Sequence, residues 1–336
     1  MFPVKLSPGT LSKLAANGGP ASSEMKRISR LLTVLCVLAA GSFAAAQDSH
    51  VNGLIWKASS PTDTIYLVGS IHLGSKDMFP LPTVYETAYQ KASALIVEVD
   101  LNSIDPGAMM TKLQGSGMYA NGDSLYNHLT AATAAALKAF CTKNGLPPET
   151  MGIFKPWVVS MMVEVMPAMK GGGMKPELGI DEYFLQKAKA DHKRVAEVES
   201  LDFQVNLLSS MPESEQIKQL ASALGTQPAG AQTIGSIEKE WIQGDAEGIE
   251  KAMQTGVGDA YMTKKIVDDR NPHMADVAER FLKYNKTCLF VVGAGHLVGP
   301  TGIVELLKKR GYSVEQVLST PIAPAPTNAA KTGSQN

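Results

Sequence analysis

Two segments share one local frame: an apolar strand-forming run, then Gly-x-x-His, then a loop and a helix. They are Gly69-Ser70-Ile71-His72 after Thr64–Val68, and Gly293-Ala294-Gly295-His296 after Thr287–Val292. With 30 glycines and six histidines among 336 residues, a single Gly-x-x-His arises by chance often enough to carry no weight, but two in the same strand-to-helix frame do not. Glu98 sits near the end of a third apolar run, Ala94–Val99, where a carboxylate without a partner is costly to bury. Two imidazoles and a carboxylate converging on one sheet edge form a donor set for a divalent cation with a position left open for water. Such an ion polarises a carbonyl and brings the pKa of its water toward neutrality, which is the chemistry of metal-assisted hydrolysis. Glu98 then serves either as third ligand or as general base, roles separated by less than a side-chain length. Glu199, after Arg194–Val198, is the second-choice carboxylate. Two histidines with carboxylates suit Mn, Co or Zn alike. The chain has no His-Glu-x-x-His, so a helix-borne zinc peptidase site is excluded.

These residues need a parallel sheet to bring them together. Thr64–Val68, a helix over Val84–Ala92 and Ala94–Val99 read as a βαβ unit, whose strands lie parallel and are covered on both faces. Thr287–Val292, a helix over Gly302–Arg310 and a strand over Tyr312–Leu318 repeat the pattern. Ligands bind beyond the carboxyl ends of parallel strands, which is where both histidines fall. The fold class is therefore α/β, with a mixed or mostly parallel central sheet from N- and C-terminal βαβ units and a largely helical middle insertion. That insertion carries one strand, Arg194–Val198, and helices over Leu125–Asn144, Glu215–Leu224, Glu238–Gln243 and Glu247–Gln254. Asn271-Pro272 supplies an N-cap and a first-turn proline for a helix through Tyr284. Asp105–Gly122 and the Gly- and Met-rich Met166–Gly179 read as loops that define the substrate, the second a candidate lid.

The ends read differently. Met25-Lys26-Arg27-Ile28-Ser29-Arg30, the apolar run Leu31–Ala40 and the small residues Ala44-Ala45-Ala46 have the three parts of a secretory signal peptide. Residues 1–46 are read as the signal region, with the true start at Met25; residues 47–320 form one domain and 321–336, rich in Pro, Ala, Thr and Ser, a disordered tail. The expected location is periplasmic or secreted, with no stable transmembrane segment after cleavage. Of three cysteines, Cys141 and Cys288 remain in the mature chain, either as a pair or as two buried thiols. Thirty-one Lys and Arg against 32 Asp and Glu leave no basic excess for nucleic acid.

Val68–Gly74, the Pro80–Pro82 helix entry, Val97-Glu98-Val99-Asp100 and Val292–Leu297 together resemble the TraB/GumN family, related to the TIKI metalloproteases and more remotely to ChaN-like and erythromycin-esterase-like proteins. The resemblance spans Gly53–Leu318 and includes Gly179-Ile180-Asp181, Glu199–Gln204, Trp241 with Gly244-Asp245, and Arg270-Asn271. It implies a metal-dependent hydrolase, foremost a peptidase acting on a peptide or protein. His72 and His296 would be ligands, Glu98 ligand or base, and Glu199 the alternative ligand. Arg270 would be a catalytic guanidinium that stabilises a developing oxyanion or orients a carboxylate; a structural ion pair at the helix entry is its other role. Asp181 is a weaker candidate, and His50, His128, His192 and His273 match nothing and are read as surface residues. The resemblance also leaves open a periplasmic haem- or metal-binding protein and a non-catalytic accessory factor in exopolysaccharide production.

Overall fold

The computed structural model describes residues 51–318, apart from 172, 227–233, 257–259 and 284–285. The expected signal region, His50 and the C-terminal tail lie outside the described residues. Six strands form one sheet: β1 (Ile55–Ser59), β2 (Thr64–Ser70), β3 (Ala94–Val97), β4 (Arg194–Glu197), β5 (Cys288–Gly293) and β6 (Ser313–Gln316). Their order is β4-β3-β5-β2-β1-β6. The first four in that order run parallel, whereas β1 is antiparallel to both β2 and β6. The sheet is thus α/β and mixed but mostly parallel, as the two βαβ patterns imply. Strand β1 is the element the sequence reading passed over. Its run Ile-Trp-Lys-Ala-Ser is short, and it enters the sheet as the antiparallel partner that completes a hairpin with β2.

Strand β5 sits between β3 and β2, so the last βαβ unit inserts its first strand into the first unit. In register, Val97 lies opposite Val291, and Ser70 opposite Gly293. β5 is buried except for its final glycine, because a central parallel strand is covered on both faces and must be apolar throughout. Helices α1 (Thr83–Lys91), α6 (Ile180–Ala190), α12 (Asn271–Phe281) and α13 (Ile303–Lys309) contribute buried residues to the sheet's core, among them Tyr85, Phe184, Met274 and Ile303.

The middle insertion holds α2 (Pro106–Ser116), α3 (Ala131–Asn144), α4 (Pro148–Gly152), α5 (Pro156–Gly171), α7 (Leu201–Ser209), α8 (Glu213–Ala223), α9 (Ile234–Gln243), α10 (Ala246–Gly256) and α11 (Ala260–Thr263). It builds a second, smaller core around Leu125, Leu137, Met151, Val159, Val163 and Leu220. Three expectations need correction here. Asp105–Gly122 is mainly helix α2: the Asp105 side chain accepts from Ala108 N–H at 2.7 Å and Pro106 opens the first turn, the same cap-plus-proline signal read at Asn271. Met166–Gly179 is not a free loop, since α5 runs through Pro167 to Gly171, and Gly74 and Lys175 then form a backbone bridge. The helix expected over Leu125–Asn144 is divided: a 3₁₀ turn covers Leu125–Asn127, and Thr130 caps α3 by accepting from Thr133 N–H at 3.2 Å. Cys141 lies in the second core and Cys288 in the sheet's, both as buried free thiols.

Candidate functional site

Four consecutive parallel strands each deliver one chemically capable residue at the carboxyl end: Glu199 after β4, Glu98 after β3, His296 after β5 and His72 after β2. The ladder continues past the strands, with Glu98 N–H donating to Val291 O at 3.1 Å and Glu199 N–H to Glu98 O at 2.9 Å. Backbone pairing therefore fixes where both carboxylates start.

His296 sits in a 3₁₀ turn directly after β5, and its side chain is 7% exposed. Its Nδ1 lies 2.7 Å from Asn271 Oδ1, while its Nε2 is 3.9 Å from Glu98 Oε1, beyond hydrogen-bond reach. Burial pushes this imidazole down to about 4, with Glu98 opposing and Arg270 assisting, so the ring is neutral near pH 7. His72 is different: its side chain is 63% exposed, and Nδ1 meets Asp181 Oδ1 at 2.9 Å. The Asp181 carboxylate raises it to about 9 against the effect of burial, although water reaching the ring screens part of that attraction. Burial would raise Asp181 in turn, but His72 holds it low, at about 2.

The Asp181 contact depends on glycines. A Cβ on Gly179 would lie 2.4 Å from the His72 carbonyl oxygen, and one on Gly74 would lie 2.0 Å from the Leu178 oxygen. Only glycine lets these two loops touch. Ile180 N–H then donates to Ile71 O at 3.1 Å and aligns the start of α6 with the His72 loop. The buried Trp241 indole donates to Gly69 O at 2.7 Å beneath the same turn.

The glycines that open the two Gly-x-x-His motifs do different work. A Cβ on Gly69 would press on Ala294 Cα, Ala294 Cβ and Leu54 Cβ, each at 3.2 Å, so this glycine allows two strand ends to pack. A Cβ on Gly293 would instead stand 3.5 Å from Glu98 Oε2 and 3.6 Å from His296 Cδ2. Its absence leaves open the space between a carboxylate oxygen and an imidazole edge.

Both Glu98 oxygens are engaged, Oε1 by side chains and Oε2 by a single backbone N–H. Oε1 accepts from Gln204 Nε2 at 2.8 Å and from Arg270 Nη2, whereas Oε2 accepts from Gly293 N–H at 3.1 Å. Burial would raise this carboxyl, but His296, Arg270, His72 and the Gly293 N–H hold it at about 2. With His296 neutral near pH 7, the Arg270 guanidinium, the His72 imidazolium and the Gly293 N–H are the attractions that persist. Arg270 reaches the site from a π-helical turn, Lys264–Asp268, which follows α11. Its Nη1 donates to Ile266 O at 2.7 Å, its Nε to Glu199 Oε1 at 3.0 Å and its Nη2 to Glu199 Oε2 at 2.6 Å.

The sequence-derived candidates are thus brought together, but in two groups. His72, His296 and Glu98 follow three adjacent strands, His72 exposed and the other two buried. Glu199, the alternative ligand, has both oxygens engaged by Arg270, and Arg270 has at most one Nη1 hydrogen left for a substrate. Three residues were undervalued. Asn271 was read as a helix cap, yet the cap position is Arg270, and the Asn271 amide spans Thr301 O at 2.9 Å and the His296 ring. Asp181 and Gln204 appear in the sequence only inside matched stretches; no spacing rule marks them. Of the remaining histidines, His192 and His273 are exposed. His128 is half-buried, stacked on Tyr119 at 4.8 Å and bonded to Asp123 at 2.8 Å.

Among the described residues, no group of three or more His, Cys, Asp and Glu side chains is already assembled to hold a metal ion. The donors nevertheless fit a cation in kind, and in charge once His72 gives up its proton. Nδ1 of each imidazole is occupied by an acceptor, which leaves Nε2 to coordinate. Three carboxylates (Glu98, Glu199, Asp181) against one guanidinium leave two surplus negative charges when both rings are neutral. The space beside Gly293 touches both Glu98 Oε2 and the Nε2-bearing edge of His296.

A mostly parallel sheet with histidines and carboxylates gathered beyond its strand ends defines a class of α/β proteins with a polar, ionisable site at that edge. The chain belongs to the TraB/PrgY/gumN family, whose profile matches residues 54–316. It is similar to YbaP of Escherichia coli, an uncharacterised protein, at 33% identity over 149 residues, covering 44% of this chain and 53% of YbaP. The aligned stretch thus spans about half the length of that relative. It is also similar to Metalloprotease TIKI1 of Xenopus tropicalis at 24% identity over 88% of this chain and 69% of that protein. A Metalloprotease TIKI homolog of Amphimedon queenslandica is 40% identical over 68 residues, 20% of this chain and 13% of that protein. No solved structure matches. Among the described residues, no helix is long and apolar enough to cross a membrane.

Proposed function

We propose that this protein is a secreted or periplasmic metal-dependent hydrolase, foremost a peptidase, with residues 47–320 as its functional unit. One observation carries the reading: two histidines from the neighbouring parallel strands β5 and β2, each held at Nδ1, follow in strand order a glutamate after β3 whose Oε2 faces the gap beside Gly293. The metalloprotease names of the TIKI relatives support the reaction class. His72 and His296 would hold a divalent ion through Nε2, with Glu98 Oε2 as third donor or as base for the attacking water. Bound there, the ion would supply Lewis acidity and a water of lowered pKa. Asp181 and Asn271 hold the rings, and Gln204 and Arg270 hold Glu98 on the oxygen it does not offer. Glu199 serves as the anchor of Arg270 instead of as a ligand, because its oxygens are spent on that guanidinium. Arg270 accordingly acts by positioning Glu98.

The test is metal content of the purified protein beside the His72→Ala/His296→Ala variant, followed by peptide hydrolysis with added Mn, Co or Zn. Stoichiometric metal that the variant loses, together with metal-dependent cleavage, supports the proposal. If neither protein carries metal and none of the three ions binds on titration, the proposal fails. A Soret band in the purified protein would instead point to haem binding.

A further inference from the structure

We propose that Asn271 is the positioning residue that fixes His296 with its proton on Nδ1 and its lone pair on Nε2, turned toward Glu98. The inference deepens the metal-site reading and rests on it for its consequence, but the proton placement stands on hydrogen-bond geometry alone. Two observations determine it. Asn271 Nδ2 lies 2.9 Å from the Thr301 carbonyl oxygen, which only accepts, so the amide presents its NH₂ group there. Its Oδ1 must then face His296 Nδ1 at 2.7 Å, and an oxygen at that distance requires Nδ1 to carry the hydrogen. Turning the amide over would set Oδ1 against the Thr301 oxygen, two acceptors in contact in a buried site.

The other face of the ring agrees. Nε2 is 3.9 Å from Glu98 Oε1, too far to donate to it, and that oxygen already accepts from Gln204 and Arg270. A proton on Nε2 would gain nothing there, while one on Nδ1 gains a short bond. Thr301 is itself secured, since its hydroxyl donates to Asp268 Oδ1 at 2.7 Å and ties the loop after β5 to the π-helical turn before Arg270. Two adjacent residues thus organise the site from one place: Arg270 takes the carboxylates and Asn271 takes the imidazole. An amide suits the second task better than a carboxylate. It supplies an acceptor without adding a negative charge beside Glu98 and Glu199, both already buried. His72, with its ring exposed, has the charged counterpart, Asp181.

The experiment is nitrogen-detected imidazole NMR on metal-free, histidine-labelled protein, with the His296 signals assigned by their loss in His296→Gln. Wild type is expected to show Nδ1 protonated and Nε2 bare. Asn271→Ala should move the ring toward the Nε2-protonated tautomer, and Asn271→Asp, which retains an acceptor, should keep Nδ1 protonated. Cobalt(II) titration should show roughly 10–100-fold weaker binding in Asn271→Ala, the usual consequence of removing a ligand's hydrogen-bond partner. A proton on Nε2 in the wild type, or a tautomer unchanged in Asn271→Ala, overturns the inference, and the wild-type spectrum decides even if the alanine variant fails to fold. If the tautomer is as expected but neither cobalt, manganese nor zinc binds the wild type, the positioning role stands and the metallohydrolase reading falls.

Discussion

Replacing Gly293 with alanine separates folding from site chemistry, because the two effects have opposite signs. The backbone at this position has φ −49° and ψ 134°, a region open to any L-residue. The added Cβ would meet nothing closer than Glu98 Oε2 at 3.5 Å and His296 Cδ2 at 3.6 Å, both ordinary contact distances. No strain opposes the change, and the unfolded chain loses conformational freedom, so stability should rise by about 0.4–1 kcal/mol. For a domain of this size that corresponds to a Tm higher by roughly 1–4 °C. The methyl group, however, occupies the space a cation needs. A ligand–metal bond is about 2.0–2.2 Å, and an ion bound to both Oε2 and Nε2 would have to lie where the methyl now packs. Affinity should fall more than tenfold, a loss above about 1.4 kcal/mol. Titration of chelator-stripped protein with Mn, Co and Zn, beside thermal melts of both proteins, reads the two effects separately. Unchanged affinity with a raised Tm would refute the placement of the cation beside Gly293, and a lowered Tm would refute the packing argument itself.

Arg270→Met should cost roughly 3–5 kcal/mol in denaturant unfolding, since it leaves Glu98 and Glu199 buried without their counter-charge, and the loss should shrink in Arg270→Met/Glu199→Leu. In the metal-free protein, the His72–Asp181 pair should make stability depend on pH. His72 is raised from 6.5 to about 9, so its contribution is complete below about pH 6.5 and is lost as pH rises through about 9. Asp181 is depressed from 3.8 to about 2, so its contribution is present above about pH 4 and is lost as pH falls toward 2. A thermal midpoint that falls between pH 6.5 and 9 in wild type but not in His72→Gln confirms the alkaline limb, and an equal fall in both assigns it to other groups.

Much of this arrangement could be read from the chain. The two apolar runs before Gly69 and Gly293 had to be buried parallel strands, and that alone put both histidines at one sheet edge. Glu98 was visible because an ionised group at the end of Ala-Leu-Ile-Val needs a reason. What escaped reading is what depends on contacts between distant segments. Asn271 has the residue type and the following proline of a cap, and nothing local distinguishes a cap from an amide aimed at a ring 25 positions later. Arg270 and Glu199 form a pair across 71 positions, which settles that neither is free, but only once the strand order is known. That order, with β5 between β3 and β2, follows from the packing of whole elements and has no sequence signature. Asp105 differs in kind: its capping side chain and the proline after it are local signals of a helix start, and a loop over Asp105–Gly122 disregards them.

The supports of the site suggest how it would bind an ion tightly without having three donors in final position. Each donor is secured through an atom it does not offer: His72 through Nδ1 by Asp181, His296 through Nδ1 by Asn271, and Glu98 through Oε1 by Gln204 and Arg270. The supports come from the first turns of three different helices, α6, α12 and α7. Ordering of the rings and the carboxylate is therefore settled during folding, and little conformational entropy would be left to oppose binding. What remains is electrostatic: three carboxylates against Arg270 and the His72 imidazolium leave one surplus negative charge near pH 7, and two once His72 gives up its proton to bind an ion. A site ordered in this way should respond to loss of a support more gently than to loss of a donor. Asn271→Ala and Asp181→Ala would each weaken affinity by about one to two orders of magnitude, and His72→Ala/His296→Ala would remove binding altogether.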